Sequence, residues 1–93
     1  MPELRFIIKW PDGNRETCYS PSTVVRNFFV PGREYQLEDF LGRCRAALNA
    51  ASERVREKYG APCSLALGQL ARIEVAASRF AKDAHVVFES FKE

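Results

Sequence analysis

Alternating apolar and polar residues open the chain and predict a β-hairpin. Every second residue of segment 4–10 is apolar, which is the period of a strand with one buried face. The sequence Pro-Asp-Gly at 11–13 interrupts this pattern and favours a tight turn, after which residues 14–20 return as the second strand. The apolar face of the first strand consists of Leu4, Phe6, Ile8 and Trp10.

The turn leaves two registers open for this hairpin. A type I turn followed by Gly13 in the left-handed conformation places Phe6 opposite Cys18. A two-residue turn made of Asp12 and Gly13 instead places Phe6 opposite Tyr19. The two registers put Cys18 at different places in the sheet, so the exposure of its thiol depends on the choice.

Residues 20–32 predict a short helix. Ser20 is a suitable N-cap, and Pro21 suits the first helical position because its missing N–H would be unpaired there in any case. Pro31 and Gly32 end the segment. Adjacent β-branched valines weaken helices, so a strand is the alternative.

Two long helices follow, and they are expected to pack as an antiparallel pair. From Leu37 onward apolar residues recur every three or four positions up to Tyr59, and Gly60 then provides a C-terminal stop. The second helix begins around residues 62–64. Its predicted buried stripe consists of Leu67, Leu70, Ile73, Ala77 and Phe80.

Segment 85–91 predicts a final strand, because it combines β-branched and aromatic residues. The fold class is therefore α+β: an N-terminal β-hairpin and a C-terminal strand in a small sheet, packed by a short helix and two long antiparallel helices. Residues 1–93 are expected to form a single domain. If segment 85–91 lies beside segment 4–10, the sheet has three strands and exposed edges. Pairing of such an edge, or of a helix face, between two copies favours a homodimer.

Composition narrows the functional classes. The chain is 46% hydrophobic with a net charge of +2, which argues against disorder and against a strongly polyanionic partner. Apolar runs are too short for a membrane helix, and the three cysteines show no Cys-x-x-Cys spacing. We therefore expect a cytoplasmic protein without a metal or other cofactor. Nucleic-acid binding is not expected, since glutamates interrupt the arginines of the first long helix.

Three side chains are candidates for chemistry. Cys63 lies at the predicted start of the second long helix, where backbone N–H groups can stabilise a thiolate. Cys18 is a second candidate thiol, and His85, the single histidine, could act as a general base. Each has a structural alternative, since Cys63 suits a turn between helices and His85 suits the start of a strand. Cys44 falls on the apolar stripe of the first long helix and is expected in the core.

Pro2 is a further candidate, because tautomerases use an N-terminal proline at the head of a strand as their general base. The basic unit of those enzymes runs strand, helix, strand, whereas this chain continues directly into a hairpin. The order of elements therefore argues against a tautomerase.

Several segments resemble a small bacterial family of nitrogen-starvation response proteins. They are Arg5-Phe6, WPDG at 10–13, CYSPS at 18–22, Pro31-Gly32 and RVREKYG at 54–60. The resemblance implies a gene cluster that contains a nitrilase and serves nitrogen scavenging, and it assigns no catalytic residue. The leading hypothesis is a non-catalytic accessory or interaction protein of nitrogen assimilation, with proteins of that cluster as partners. The alternative is a small thiol-dependent enzyme or carrier acting through Cys63 or Cys18.

Overall fold

Four strands form one antiparallel sheet, and two long helices cover one of its faces. The computed structural model describes residues 3–92, so Pro2 lies outside the described residues. The strand order in the sheet is β2-β1-β4-β3. The predicted α+β arrangement is confirmed. The elements are β1 (Leu4–Lys9), β2 (Arg15–Ser20), a 3-10 helix (Thr23–Asn27), β3 (Arg33–Gln36), α1 (Leu37–Tyr59), α2 (Ser64–Ala77) and β4 (His85–Lys92).

The hairpin adopts the bulged register. Trp10 N–H donates to the Asn14 carbonyl at 2.8 Å, and Gly13 N–H donates to the Trp10 carbonyl at 2.9 Å. Gly13 has a φ of 91°, which is the left-handed conformation that this turn needs. Phe6 therefore lies opposite Cys18, and the thiol of Cys18 faces the core.

Strand β3 was not predicted, and it changes the topology. Its sequence, Arg-Glu-Tyr-Gln, contains one apolar residue in four positions, too few for strand periodicity to appear. Tyr35 is buried, and its hydroxyl accepts the backbone N–H of Val30 at 2.8 Å. Because β3 pairs with β4, segment 85–91 lies inside the sheet. The expectation that this segment forms an edge open to self-pairing is wrong.

The short helix differs from its prediction in start and type. Its N-cap is Ser22 and not Ser20, and it is a 3-10 helix. Ser22 Oγ accepts the N–H of Val24, while Ser20 Oγ donates to the Ser22 carbonyl at 2.7 Å. The hydroxyl of Ser20 thus holds the turn before the helix, and Ser22 caps it.

The two long helices run antiparallel. An early residue of α1, Arg45, contacts Glu74 late in α2 at 2.9 Å, whereas the later Ser52 contacts Cys63 at the start of α2. Gly60, with a φ of 83°, ends α1 as predicted, and its N–H donates to the Arg56 carbonyl.

The core lies between this helix pair and the inner face of the sheet, and aromatic rings fill its centre. Phe29 stacks on Phe88 with ring centroids 4.5 Å apart, and Phe88 in turn stacks on Phe6 at 5.4 Å. Trp10 meets Phe40 edge to face at 5.8 Å. Such ring pairs add attraction to that of apolar burial.

Phe80, part of the predicted stripe of α2, lies beyond the helix end at Ala77, and a second exception is Leu67. It is 41% exposed, because the helix turns a different side toward the core. The buried residues of α2 are Ala66, Gln69, Leu70, Ile73 and Ala77. Both sides of α2 are rich in apolar residues, so periodicity does not distinguish the inward side from the outward one.

Candidate functional site

Cys63 is the N-cap residue of α2, and its thiol is half-buried. Its backbone N–H donates to Ser52 Oγ at 3.0 Å, which fastens the turn between the helices to α1. Tyr19 lies close enough for a Cys63 thiolate to raise the pKa of its phenol, although burial of Tyr19 is the larger cause. Tyr19 therefore stays protonated near neutral pH and does not provide a base for this thiol.

Cys18 and Cys44 are buried in the core. Burial raises the pKa of Cys18 far above its ordinary value, Glu16 raises it further, and Arg72 partly opposes this. Burial also raises the pKa of Cys44, and Cys18 adds to the effect. Because the thiolate is the nucleophilic form, both side chains are poorly suited to attack a substrate.

His85 begins β4, and its exposed ring lies with Nδ1 3.8 Å from Glu34 Oε1. His85 and Cys63 lie near opposite ends of the strands. Tyr19, beside Cys63, pairs with Arg5 on β1, whereas the strand end near His85 lies four residues further along β1, about 13 Å away at the rise of a strand. The structure therefore does not bring the predicted base and the predicted nucleophile together.

Two further features bear on function. Within residues 3–92 no group of three or more His, Cys, Asp or Glu side chains is arranged to hold a metal ion. Across the same residues, neither helix combines the length and the hydropathy needed to cross a membrane.

The sequence analysis did not identify Gln69, whose side chain joins α2 to strand β2. It is 2% exposed, and its Oε1 accepts the backbone N–H of Tyr19 at 3.0 Å. That N–H belongs to the free edge of β2, so α2 caps this edge with a side-chain acceptor. A glutamine among the apolar residues of a helix was the available signal, because a buried amide needs a specific partner.

No helix formed by residues 3–92 covers the second face of the sheet, which we call the open face. Strand alternation places the odd-numbered residues of β1 and β2 there, opposite the buried even-numbered ones. Three larger side chains on this face are half-buried by their neighbours. They are Ile7, Tyr19 and Val87.

Charged side chains surround this apolar centre. Arg15 Nε binds both carboxylate oxygens of Glu89 across β1, at 2.9 and 3.0 Å. Arg5 contacts Glu3 at 3.4 Å and lies over the ring of Tyr19. Two lysines, one on β1 and one on β4, form no ion pair with any of residues 3–92. They are Lys9 and Lys92.

These arrangements describe a binding surface more readily than a reaction centre. The open face has an apolar centre and a charged border, and its ion pairs hold Arg5 and Arg15 in place. Cys18 and Cys44 lie in the core, and His85 lies on the open face but apart from Cys63.

A family model described as nitrogen starvation-induced protein NitG matches residues 5–91. The chain belongs to the NitG family. The match includes the open face from β1 to β4 as well as Cys18, Cys44 and Cys63. No curated protein and no solved structure matched the chain. NitG membership confirms the resemblance to nitrogen-starvation proteins and ties the chain to that condition.

Proposed function

We propose that this NitG-family chain is a non-catalytic interaction protein of the cytoplasm that acts during nitrogen starvation by binding a partner protein through its open face. The observation that carries the proposal is the open face itself, a four-stranded surface with Ile7, Tyr19 and Val87 at its centre. Protein interfaces commonly combine an apolar centre with a polar border.

Charge indicates the chemistry of the partner. The carboxylates of Glu3, Glu34 and Glu89 each lie beside a cation or the His85 ring. Lys9, at the end of β1 between β2 and β4, remains as a cation without an ion-pair partner among the described residues. A complementary surface would therefore place an apolar patch on Ile7 and Val87 and a carboxylate within reach of Lys9.

The resemblance to proteins of nitrilase-containing gene clusters indicates where such a partner is encoded. We expect a protein of that cluster to bind the open face. A quantitative pull-down from nitrogen-starved cells tests this, with wild-type protein beside Lys9→Glu and Ile7→Glu variants. Wild-type protein should enrich a cluster protein, and both variants should lose it.

The matched control is Lys58→Glu, which makes the same change in charge at the exposed end of α1. This variant should retain the partner. Absence of every cluster protein from the wild-type pull-down would contradict the proposal. Equal retention by all variants would move the binding site away from the open face.

The alternative is a thiol-dependent enzyme or carrier that acts through Cys63 or Cys18. Of the two, Cys63 has the more accessible thiol, and Cys18 is held protonated in the core. A thiol-reactivity profile separates the hypotheses. Rapid alkylation of Cys63 by a small reagent at neutral pH would favour the alternative, and slow alkylation of all three thiols would exclude it.

A further inference from the structure

Helix α2 presents a second apolar surface, on the side away from the core. Large hydrophobic side chains are mostly covered in this chain, yet several along α2 and just before it are strongly exposed. Leu65 and Val75 are each 65% exposed and Leu67 is 41% exposed, while Tyr59 at the end of α1 is 65% exposed. Among residues 3–92, Val30 is the other large hydrophobic residue with this degree of exposure, and it lies in the loop before β3. The exposure is therefore concentrated at α2.

The spacing on the outward side of α2 fits a helix–helix contact. Gly68, Ala71 and Val75 are separated by three and four residues and form a straight seam opposite the buried Ile73. The small residues at 68 and 71 permit close approach of a second helix. Leu65 and Leu67 flank the seam beside Gly68 and would pack over it. Together, the three residues of the seam and the two leucines beside it are called the α2 seam.

We propose that the α2 seam binds the same seam of a second copy, giving a two-fold symmetric dimer with the two α2 helices parallel. The charges beside the seam indicate both the occupant and the direction. Arg72 lies on one flank, with Arg79 in the turn that follows α2 on the same side, and Glu74 lies on the other flank. A helix that carries opposite charges on its two flanks is complementary to a copy of itself.

Whether the two α2 helices run parallel or antiparallel decides which of their flanks face each other. In a parallel pair the acidic flank of one helix faces the basic flank of the other, and residues five positions apart form ion pairs. Glu74 of each copy then approaches Arg79 of the other, so two symmetric ion pairs form. An antiparallel pair instead brings like flanks together and opposes Arg72 and Arg79 with the same residues of the second copy. Glu74 also binds Arg45 in its own chain, but a carboxylate can accept from two guanidinium groups.

The size of the seam sets the strength of the dimer. Fourteen residues of helix extend about 21 Å. A single helix face of this length is small beside the roughly 800 Å² per partner of a standard interface. The dimer is therefore reversible, with dissociation at micromolar concentration. It leaves the open face of each copy uncovered, because α2 lies on the opposite side of the sheet, and so presents two open faces to a partner.

Analytical ultracentrifugation over micromolar concentrations tests the dimer. Wild-type protein should show a monomer–dimer equilibrium, and Val75→Glu should weaken it by about tenfold or more, as expected when a charge enters an apolar seam. Val30→Glu is the matched control, since it replaces another exposed valine outside the seam, and it should dimerise as wild type does. Circular dichroism verifies that each variant is folded. A monomeric wild type, or a Val75→Glu variant that dimerises normally, would overturn the proposal.

Charge reversal and cross-linking test whether the two α2 helices run parallel. Glu74→Arg and Arg79→Glu should each weaken the dimer, and the two changes together should restore it. Val75→Cys, in a Cys63→Ser background, should form an intermolecular disulfide, because the two Val75 side chains meet at the axis of a parallel pair. In an antiparallel pair centred on Ala71 they would lie about 12 Å apart along the helix. Failure to cross-link while the protein still dimerises would overturn the parallel arrangement. Neither result depends on the open face, so a failed pull-down does not affect this test.

Discussion

The side chain of Gln69 accepts the backbone N–H of Tyr19 at 3.0 Å and thereby joins α2 to the free edge of β2. The same oxygen accepts from Arg72 at 3.3 Å, which fixes the orientation of the amide. Gln69 Nε2 has no hydrogen-bond partner among the described residues. The hydrogen bond to the strand edge thus leaves one buried amide donor without a partner among residues 3–92.

Replacing Gln69 with leucine should destabilise the fold, because the N–H of Tyr19 would lose its acceptor in a partly buried position. We expect a loss of about 1–2 kcal/mol in the free energy of unfolding, since removal of the unpaired Nε2 offsets part of the cost. Urea denaturation measures this. Gln36→Leu is the control, because Gln36 is exposed and its side chain makes no capping hydrogen bond. Equal stability of the two variants would show that the Gln69 contact contributes nothing.

Two glycines give opposite predictions for the same substitution. Gly13→Ala should destabilise the hairpin by about 1–2 kcal/mol, because Gly13 has a φ of 91° and a side chain disfavours that conformation. Gly42→Ala should stabilise α1 by roughly 0.5–1 kcal/mol, because alanine favours the helix and nothing lies within 4 Å of the added methyl group. Thermal unfolding compares the two. A Gly13→Ala variant as stable as wild type would contradict the assignment of a strained turn at Gly13.

The buried thiols predict a loss of stability in alkaline solution. The pKa values of Cys18 and Cys44 are raised in the folded chain, mainly by burial, above an ordinary value of 9.0. Above that pH the thiols ionise in the unfolded chain but remain protonated in the folded one, so stability falls as pH rises. The loss is on the order of 2 kcal/mol per thiol at about pH 10.5.

The measurement is the free energy of unfolding as a function of pH for wild type and for a Cys18→Ala, Cys44→Ala double variant. The variant has a cavity, so its stability at neutral pH is lower, but its decline between about pH 8 and 10.5 should be shallower. Lysine and tyrosine titration is shared by both proteins. Parallel curves would contradict the assigned burial of these thiols.

Periodicity predicted most of the fold because the long elements bury one clear side. Strand β1 alternates, and α1 repeats over 23 residues, so their buried positions follow from the pattern. The outward side of α2 could not be predicted in this way. Leu67 and Leu70 are equally apolar, and the contact with the edge of β2 at Gln69 decides which of them is buried.

The candidate site was less accessible to sequence analysis. Burial of Cys18 follows from the hairpin register, which one hydrogen bond at Gly13 decides. Four residues of β3 carry too little pattern to reveal a strand, so the internal position of β4 was hidden as well. Alternation did place Arg5, Ile7 and Lys9 on one face of β1. That both helices cover the other face is a property of the packed structure.

The central claim is that function resides in the open face and not in the thiols. A strain that lacks the gene, grown under nitrogen starvation and supplied with variant copies, tests it most directly. Cys63→Ser should restore growth as wild type does, since Cys63 supports the fold through its backbone N–H and the proposed function assigns no reaction to its thiol. Lys9→Glu and Ile7→Glu should fail while remaining folded and abundant. Failure of Cys63→Ser together with full rescue by the two open-face variants would contradict the account.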